Sequence, residues 1–274
     1  MSKVWFVTGA GSGIGAGAAK AALAAGDQVV ATGRDPEKVR AALADQAGDN
    51  LAIVRLDVTD AAGARTAVAH SVERFGRIDV LVNNAGNSYL GNFEELTNED
   101  IERQFATNFW GVANVLRATL PVMRAQRSGY ILNISSVAGV TGLLHCTAYG
   151  AAKFAVEGLS LSLATEIEKF GIALTVVEPG FFKTELLNAR NVTYATSSIP
   201  DYAAEGTAEA MWSRYDGQQT GDPRKLGEAL VTLSRLSTPP TVFAAGADAL
   251  EAIRPVLLGR LADMAKHEAL SSAM

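Results

Sequence analysis

The chain has 274 residues, one cysteine and a formal net charge of −5, with 19 % of its residues charged. A chain of this length buries roughly 70–75 % of the surface it exposes when unfolded, so it holds together without cross-links, and a lone Cys146 excludes an intramolecular disulfide framework and suits a reducing compartment. Net negative charge disfavours nucleic acid as a partner, the opening apolar run is too short for a signal-peptide core, and no later run is of bilayer length. The expectation is a cytoplasmic globule acting on a small molecule, with no membrane and no nucleic acid.

In chain order, short Val, Ile and Leu runs alternate with longer segments of helical period. The pattern predicts strands at Val4–Thr8, Gln28–Thr32, Leu51–Leu56, Val80–Val82, Tyr130–Ile134, Ala173–Val177 and Val242–Ala245. Several are apolar without alternation, as in strands buried on both faces of a parallel sheet. Between them it predicts helices around Ile14–Ala25, Pro36–Ala47, Ala61–Phe75, Glu99–Arg124, Tyr149–Phe170 and Arg224–Arg235. This alternation argues for an α/β class Rossmann fold in one domain: a doubly wound, mostly parallel seven-stranded sheet with helices on both faces. The stretch 187–221 breaks the rhythm. It is rich in small and polar residues, with a weak helix near Ala203–Tyr215, and reads as a mobile lid over a binding site.

Gly9, Gly11, Ser12, Gly13, Ile14 and Gly15 follow the first strand directly and open the first helix. A chain that turns tightly, lets its backbone approach a diphosphate and points a helix N-terminus at it needs glycines there. The spacing is T-G-x-x-x-G-x-G rather than the commoner G-x-G-x-x-G. Asn83-Asn84-Ala85-Gly86 comes after the fourth strand and Asn133-Ile134-Ser135-Ser136 ends the fifth. Tyr149-Gly150-Ala151-Ala152-Lys153 and Pro179-Gly180 complete the set. Together, in this order and over most of the chain, these motifs resemble the short-chain dehydrogenase/reductase family. The region after Pro179-Gly180, with Ala244-Ala245-Gly246-Ala247-Asp248-Ala249, resembles its hydroxysteroid-dehydrogenase-like branch.

The resemblance implies a nicotinamide dinucleotide, a small carbonyl or alcohol substrate, and a homodimer or homotetramer. It implies that Gly9, Ser12, Ile14 and Gly15 line the diphosphate and ribose. Asp57 and Val58 would flank the adenine, Asn84 its ribose, and Phe182 and Thr184 the carboxamide. Asp57 reads equally as a strand-end residue capping a turn. The family's NAD-selecting acid falls on Gly33, which has no side chain, and Arg34 follows, whose guanidinium suits a 2′-phosphate. Asp35 stands near the place of a ribose-binding acid. Asp35-Pro36-Glu37 is also a helix start, which would turn that carboxylate to backbone amides. NADP is expected, with NAD as the other choice.

Tyr149 and Lys153, four apart in a helical segment, share one face. A phenol near 10 is a poor proton donor at neutral pH, and a neighbouring ammonium favours its anion, so a lowered Tyr149 pKa is expected. The resemblance adds Ser136, thirteen residues before Tyr149, as the serine bonding the substrate oxygen, and Asn108 as the asparagine holding a water on the proton path to Lys153. Alternation points Ser135 and Ser136 opposite ways. The expected reaction is hydride transfer between a ketone or aldehyde and an alcohol, with Tyr149 as general acid/base and no metal. Val140, Leu143, Leu144, Cys146, Phe181, Phe182 and Leu186–Leu187 predict an apolar pocket for a bulky carbonyl compound. The competing readings are a catalytically silent dinucleotide-binding regulator and an NAD-dependent alcohol dehydrogenase of the same fold.

Overall fold

The computed structural model describes residues 2–46 and 48–274. Its main sheet has β1 (Val4–Val7), β2 (Gln28–Gly33), β3 (Leu51–Arg55), β4 (Val80–Asn83), β6 (Gly129–Ile134), β7 (Ile172–Pro179) and β9 (Val242–Ala245), and β5 (Ser88–Leu90) pairs apart with β8 (Val192–Tyr194). The sheet order is β3-β2-β1-β4-β6-β7-β9, every neighbouring pair parallel. The chain is therefore a single Rossmann-like domain with the expected seven strands. The order reverses between β1 and β4, and the crevice beyond their carboxyl ends is where such sheets bind ligands.

Helices cover both faces, which is why β1 and β4 are buried throughout. Trp5, Val7 and Val82 of one face pack with α1 (Gly13–Ala24), α2 (Pro36–Ala42) and α8 (Pro223–Leu233). Phe6, Leu81 and Ile131 of the other pack with α3 (Ala61–Phe75), α5 (Gly111–Gln126) and α6 (Thr147–Ile167). Two caps follow local chemistry: Asp35 accepts from the amides of Glu37 and Lys38, and Asp60 from that of Ala62.

Four elements differ from the sequence pattern. The helix expected over Pro36–Ala47 stops at Ala42 and continues only as a 3₁₀ turn over Ala44–Gln46; Ala47 lies outside the described residues. The helix expected over Glu99–Arg124 is two, α4 (Asn98–Phe105) and α5, joined by a π-helical turn over Ala106–Trp110. That turn exists because Asn108 is drawn inward, its carboxamide bonding both the N–H (3.0 Å) and the carbonyl (2.9 Å) of Asn87. The small sheet β5–β8 and the long helix α9 (Ala247–Ser271) have no counterpart in the expectation. From Leu257 on, α9 is almost wholly exposed, so it has no buried stripe from which a periodic signal would arise.

The segment 187–221 contains β8, a 3₁₀ turn over Pro200–Glu205, the short α7 (Ala208–Trp212) and a 3₁₀ turn over Ser213–Tyr215. It is anchored at several points. Glu95 accepts from the amides of Ser198 (2.7 Å) and Ile199 (3.0 Å), the Trp212 indole donates to the Leu144 carbonyl (3.1 Å), and Gly221 pairs with Phe181 and Lys183.

Candidate active site

A single cleft of about 560 Å³ runs across the carboxyl ends of the strands, from the glycine-rich turn to the anchored segment. Its floor begins at Thr8, whose hydroxyl accepts from the amides of Asn84 (2.9 Å) and Ala85 (3.1 Å) and so joins β1 to β4. The Asn84 carboxamide donates to the carbonyls of Thr8 (3.0 Å) and Gly9 (3.2 Å). Gly9 and Gly13 turn through positive φ, and a methyl on Gly15 would lie 2.4 Å from the Gly9 carbonyl oxygen. Only glycine lets the turn close that tightly.

The residues present fit a dinucleotide diphosphate. Ser12 caps α1 through its backbone alone, and no side chain satisfies the first-turn amides of this 12-residue helix. Those amides and the positive helix end face the cleft lined by Gly9, Gly11, Ser12, Gly13 and Ile14. Gly15 is set behind the turn, packed against the Gly9 carbonyl, and is not among the residues that line the cleft. Asn84 lines the cleft, with its amide engaged in holding the turn, and Ala85 and Gly86 continue the wall.

At the far end of the cleft Arg34 is exposed and lines the wall with Asp57, Val58 and Lys38. Asp57 turns back on its own loop, accepting from the Thr59 amide (3.0 Å) and hydroxyl (2.8 Å). Burial raises the Asp57 carboxyl, but these bonds and the nearby Arg34 and Arg55 leave it below the usual carboxylate range. A methyl on Gly33 would meet Val39 Cγ2 at 2.8 Å, so any side chain there would have to displace Val39. Asp35 is the N-cap of α2. Lys38, whose stem packs on Gly11, forms an ion pair across the cleft with Glu185.

In the middle of the cleft, α6 presents Tyr149 and Lys153 beside Ser136, and Pro179, Gly180, Phe182 and Thr184 close the side facing β7. Ser136 also caps the short turn Val137–Gly139, its hydroxyl accepting from the Ala138 amide (3.1 Å). Lys153 is buried and donates to the Ile134 carbonyl (2.9 Å). The direction expected for Tyr149 is reversed. Burial pushes its phenol up to about 12, the Ser136 hydroxyl holding it down and Cys146 pushing it further up. The physical reason is desolvation of the phenol: Lys153 lies over the ring, 5.7 Å from its centroid, and is not among the groups that shift it. Burial also brings Lys153 down to about 8, with Glu157 pulling it back up. Asn108 does not line the cleft. It is 1 % exposed and its carboxamide bonds the backbone N–H and carbonyl of Asn87.

The substrate end is apolar. Phe181 stacks with Trp212 and Tyr215 at centroid distances of 6.1 and 5.5 Å, and Leu143, Cys146, Leu186 and Leu187 share the wall. Two expected members are elsewhere. Val140 packs with Ala249 and Ile253 under α9, and Leu144 is exposed while its carbonyl holds Trp212. Trp212, Gln219 and Lys38 line the cleft without having been singled out in the sequence. Only folding brings the first two to it, whereas Lys38 stands in the first turn of the helix that Asp35 caps, four residues after Arg34, and was within reach of a spacing argument.

The sequence pattern of the short chain dehydrogenases matches residues 3–195. This chain belongs to that family. The 3-ketodihydrosphingosine reductase of Bacteroides thetaiotaomicron is 37 % identical over 241 residues, covering 87 % of this chain and 86 % of the relative. A solved short-chain dehydrogenase from Streptomyces avermitilis superposes with a TM-score of 0.89 at 37 % identity, covering 100 % of this chain and 98 % of its own. A family member from Burkholderia phymatum in complex with NAD superposes with a TM-score of 0.81 at 25 % identity, covering 92 % of each. As a member of this family the chain is an oxidoreductase that uses a nicotinamide dinucleotide, and among its described residues no helix is long and apolar enough to cross a membrane.

Proposed function

We propose that this short-chain dehydrogenase is a cytoplasmic, NADP(H)-preferring oxidoreductase that interconverts a bulky, apolar ketone or aldehyde with its alcohol. The observation that carries the reading is one continuous cleft in which Tyr149, Lys153 and Ser136 stand between a glycine-rich anion cradle and an aromatic wall. The buried free thiol of Cys146 supports a reducing compartment. Exposed Phe154 and Leu161 on α6 support a homodimer or homotetramer.

Gly9, Gly11, Ser12, Gly13 and Ile14 would hold the diphosphate, and Phe182 and Thr184 the carboxamide end. When bound, the reduced dinucleotide supplies the hydride. Tyr149 gives its proton to the carbonyl oxygen, and Ser136 bonds that oxygen and keeps it in line with the phenol. Lys153 holds positive charge beneath the ring, lowering the cost of the phenolate left behind. The proton is resupplied past Lys153, with the backbone at the π-helical turn of Asn108 as the place for a water. A phenol raised by burial is a competent donor to a carbonyl oxygen only as charge develops there, which favours chemistry inside a closed, dry cleft.

NADP preference rests on three neighbours. Gly33 carries no acid, Asp35 is engaged as a helix cap, and Arg34 lines the cleft wall with a guanidinium suited to a 2′-phosphate. The aromatic wall supports an apolar substrate, and the relative named for reducing 3-ketodihydrosphingosine fits that chemistry. The segment 187–221 serves as the cover of the substrate end. The test is a fluorescence titration with NADPH and NADH of the native protein and of Arg34→Ala, followed by assay of long-chain and polycyclic ketones. NADPH binding tighter than NADH binding, lost on substitution, together with Tyr149-dependent ketone reduction, is the expected result. Equal affinities untouched at Arg34 would overturn the NADP preference, and absence of turnover with every carbonyl would favour a regulatory binder.

A further inference from the structure

We propose that Glu157 is a positioning residue of the acid–base centre, a buried carboxylate one helical turn beyond Lys153 that keeps the lysine in its charged form. The inference rests on the reading of Lys153 given above and extends it to a residue that touches neither substrate nor cofactor.

Tyr149, Lys153 and Glu157 are spaced by four along α6, so they share one face of the helix. The first lines the cleft, the second is 6 % exposed at its base, and the third is 8 % exposed behind it. Enclosure favours the neutral amine, and a negative charge nearby favours the ammonium. The one hydrogen bond that Lys153 makes among the described residues goes to the neutral carbonyl of Ile134. Glu157 is the acidic group whose field raises Lys153.

Packing alone does not explain the carboxyl. Its Oε1 is buried without a hydrogen-bond partner, and so is the Ser135 hydroxyl. Both crowd Gly139, where a methyl would stand 2.5 Å from the Ser135 oxygen and 3.2 Å from Glu157 Oε1. Ser135 thus lies close enough to favour the carboxylate without forming a bond of normal geometry. A buried, unsatisfied acid is costly, and such groups are retained where their charge has a use.

The groups facing Glu157 come from three elements. Lys153 stands on its own helix and favours its anion. Glu178 on β7, 5 % exposed, opposes it, and the turn after β6 contributes Ser135 and no charge. Burial and Glu178 together bring the Glu157 carboxyl up to about 7, against the pull of Ser135 and Lys153. Glu157 thus stands between a cation that favours its anion and a second buried acid that opposes it.

The arrangement gives a test in which the two acids act differently. In the free protein labelled with ε-¹³C lysine, the Lys153 resonance, assigned by its loss in Lys153→Arg, is followed by NMR against pH. Glu157→Gln is expected to lower the Lys153 midpoint by about one pH unit, about tenfold less ammonium above the midpoint. Glu178→Gln lets Glu157 ionise at lower pH but leaves it ionised where Lys153 titrates, so the Lys153 midpoint is expected to stay in place. With a ketone and NADPH, kcat should follow the same pattern while KM stays put. A Lys153 midpoint unmoved in Glu157→Gln, or lowered as far by Glu178→Gln, would overturn the inference. Should circular dichroism show Glu157→Gln unfolded, Glu157→Asp decides: a carboxylate drawn back by one methylene must still lower the Lys153 midpoint, and an unchanged midpoint would overturn the inference. The NMR midpoints are read without turnover, so a protein inert toward every ketone would sink the functional reading and leave this one to its own result.

Discussion

The two ends of the cleft are built on different principles. At the cofactor end, backbone meets backbone: Thr8 and Asn84 tie β1 to β4, and Gly15 packs where a methyl would be 2.4 Å from a carbonyl oxygen. At the substrate end, side chains from distant segments meet: Phe181 follows β7, Trp212 and Tyr215 come from the anchored segment, and Leu143 precedes α6. The first end tolerates almost no change in shape because its contacts are short and its donors are aimed. The second is held by stacking and apolar contact, which is non-directional and accommodates other shapes.

The comparison can be broken most sharply between the two ends. Tyr149→Phe removes the proton donor and should lower kcat on the order of a thousandfold while NADPH titration is unchanged; wild-type turnover in the variant would mean another group donates. Gly15→Ala should abolish dinucleotide binding and destabilise the fold by roughly 1–3 kcal/mol in a urea melt, since the clash is with backbone. Unaltered binding would show that the turn yields more than its contacts suggest.

Smaller effects sharpen the contrast. Arg34→Ala should weaken NADPH roughly tenfold or more, in keeping with one charge-assisted contact, and leave NADH alone. Trp212→Ala should raise KM for a bulky ketone several-fold, while kcat for a small ketone and NADPH affinity stay as they were. The smallest effect is on stability against pH. The Glu157 carboxyl rises from 4.5 to about 7 on folding, so the folded state favours its protonated form. That stabilisation is complete below about 4.5 and is lost as pH rises through 7. Glu157→Gln lacks the titration, so its Tm relative to wild type should climb by a few degrees between pH 5 and 8; a constant difference would contradict the burial of that charge.

Much of the scaffold was legible because its signals are local. Seven apolar runs separated by helical periods are what a parallel sheet covered on both faces requires, and a glycine turn between strand and helix has few other uses. Asp35 is a good instance: Asp-Pro-Glu reads as a helix start, and its carboxylate does bond the amides of Glu37 and Lys38. Asp57 was left open between adenine contact and turn cap, and it makes the turn. Where the pattern misled, a tertiary contact prevailed. The expected helix over Glu99–Arg124 ran unbroken through Asn108, whereas the bonds of Asn108 to Asn87 accompany a π-helical turn there.

By itself, then, the order of residues determined the family, the sheet, the dinucleotide cradle and the candidates Ser136, Tyr149 and Lys153, because each depends on neighbours within one strand–turn–helix unit. Tertiary structure alone decided which of these line the cleft and in what electrostatic state. Burial depends on what the rest of the chain places around a group. It raised the Tyr149 phenol where spacing predicted a fall, set Gly15 behind the turn, and joined Trp212 and Gln219 to a wall more than sixty residues from Tyr149 in sequence. Desolvation is a property of the assembled core, and no local motif encodes it.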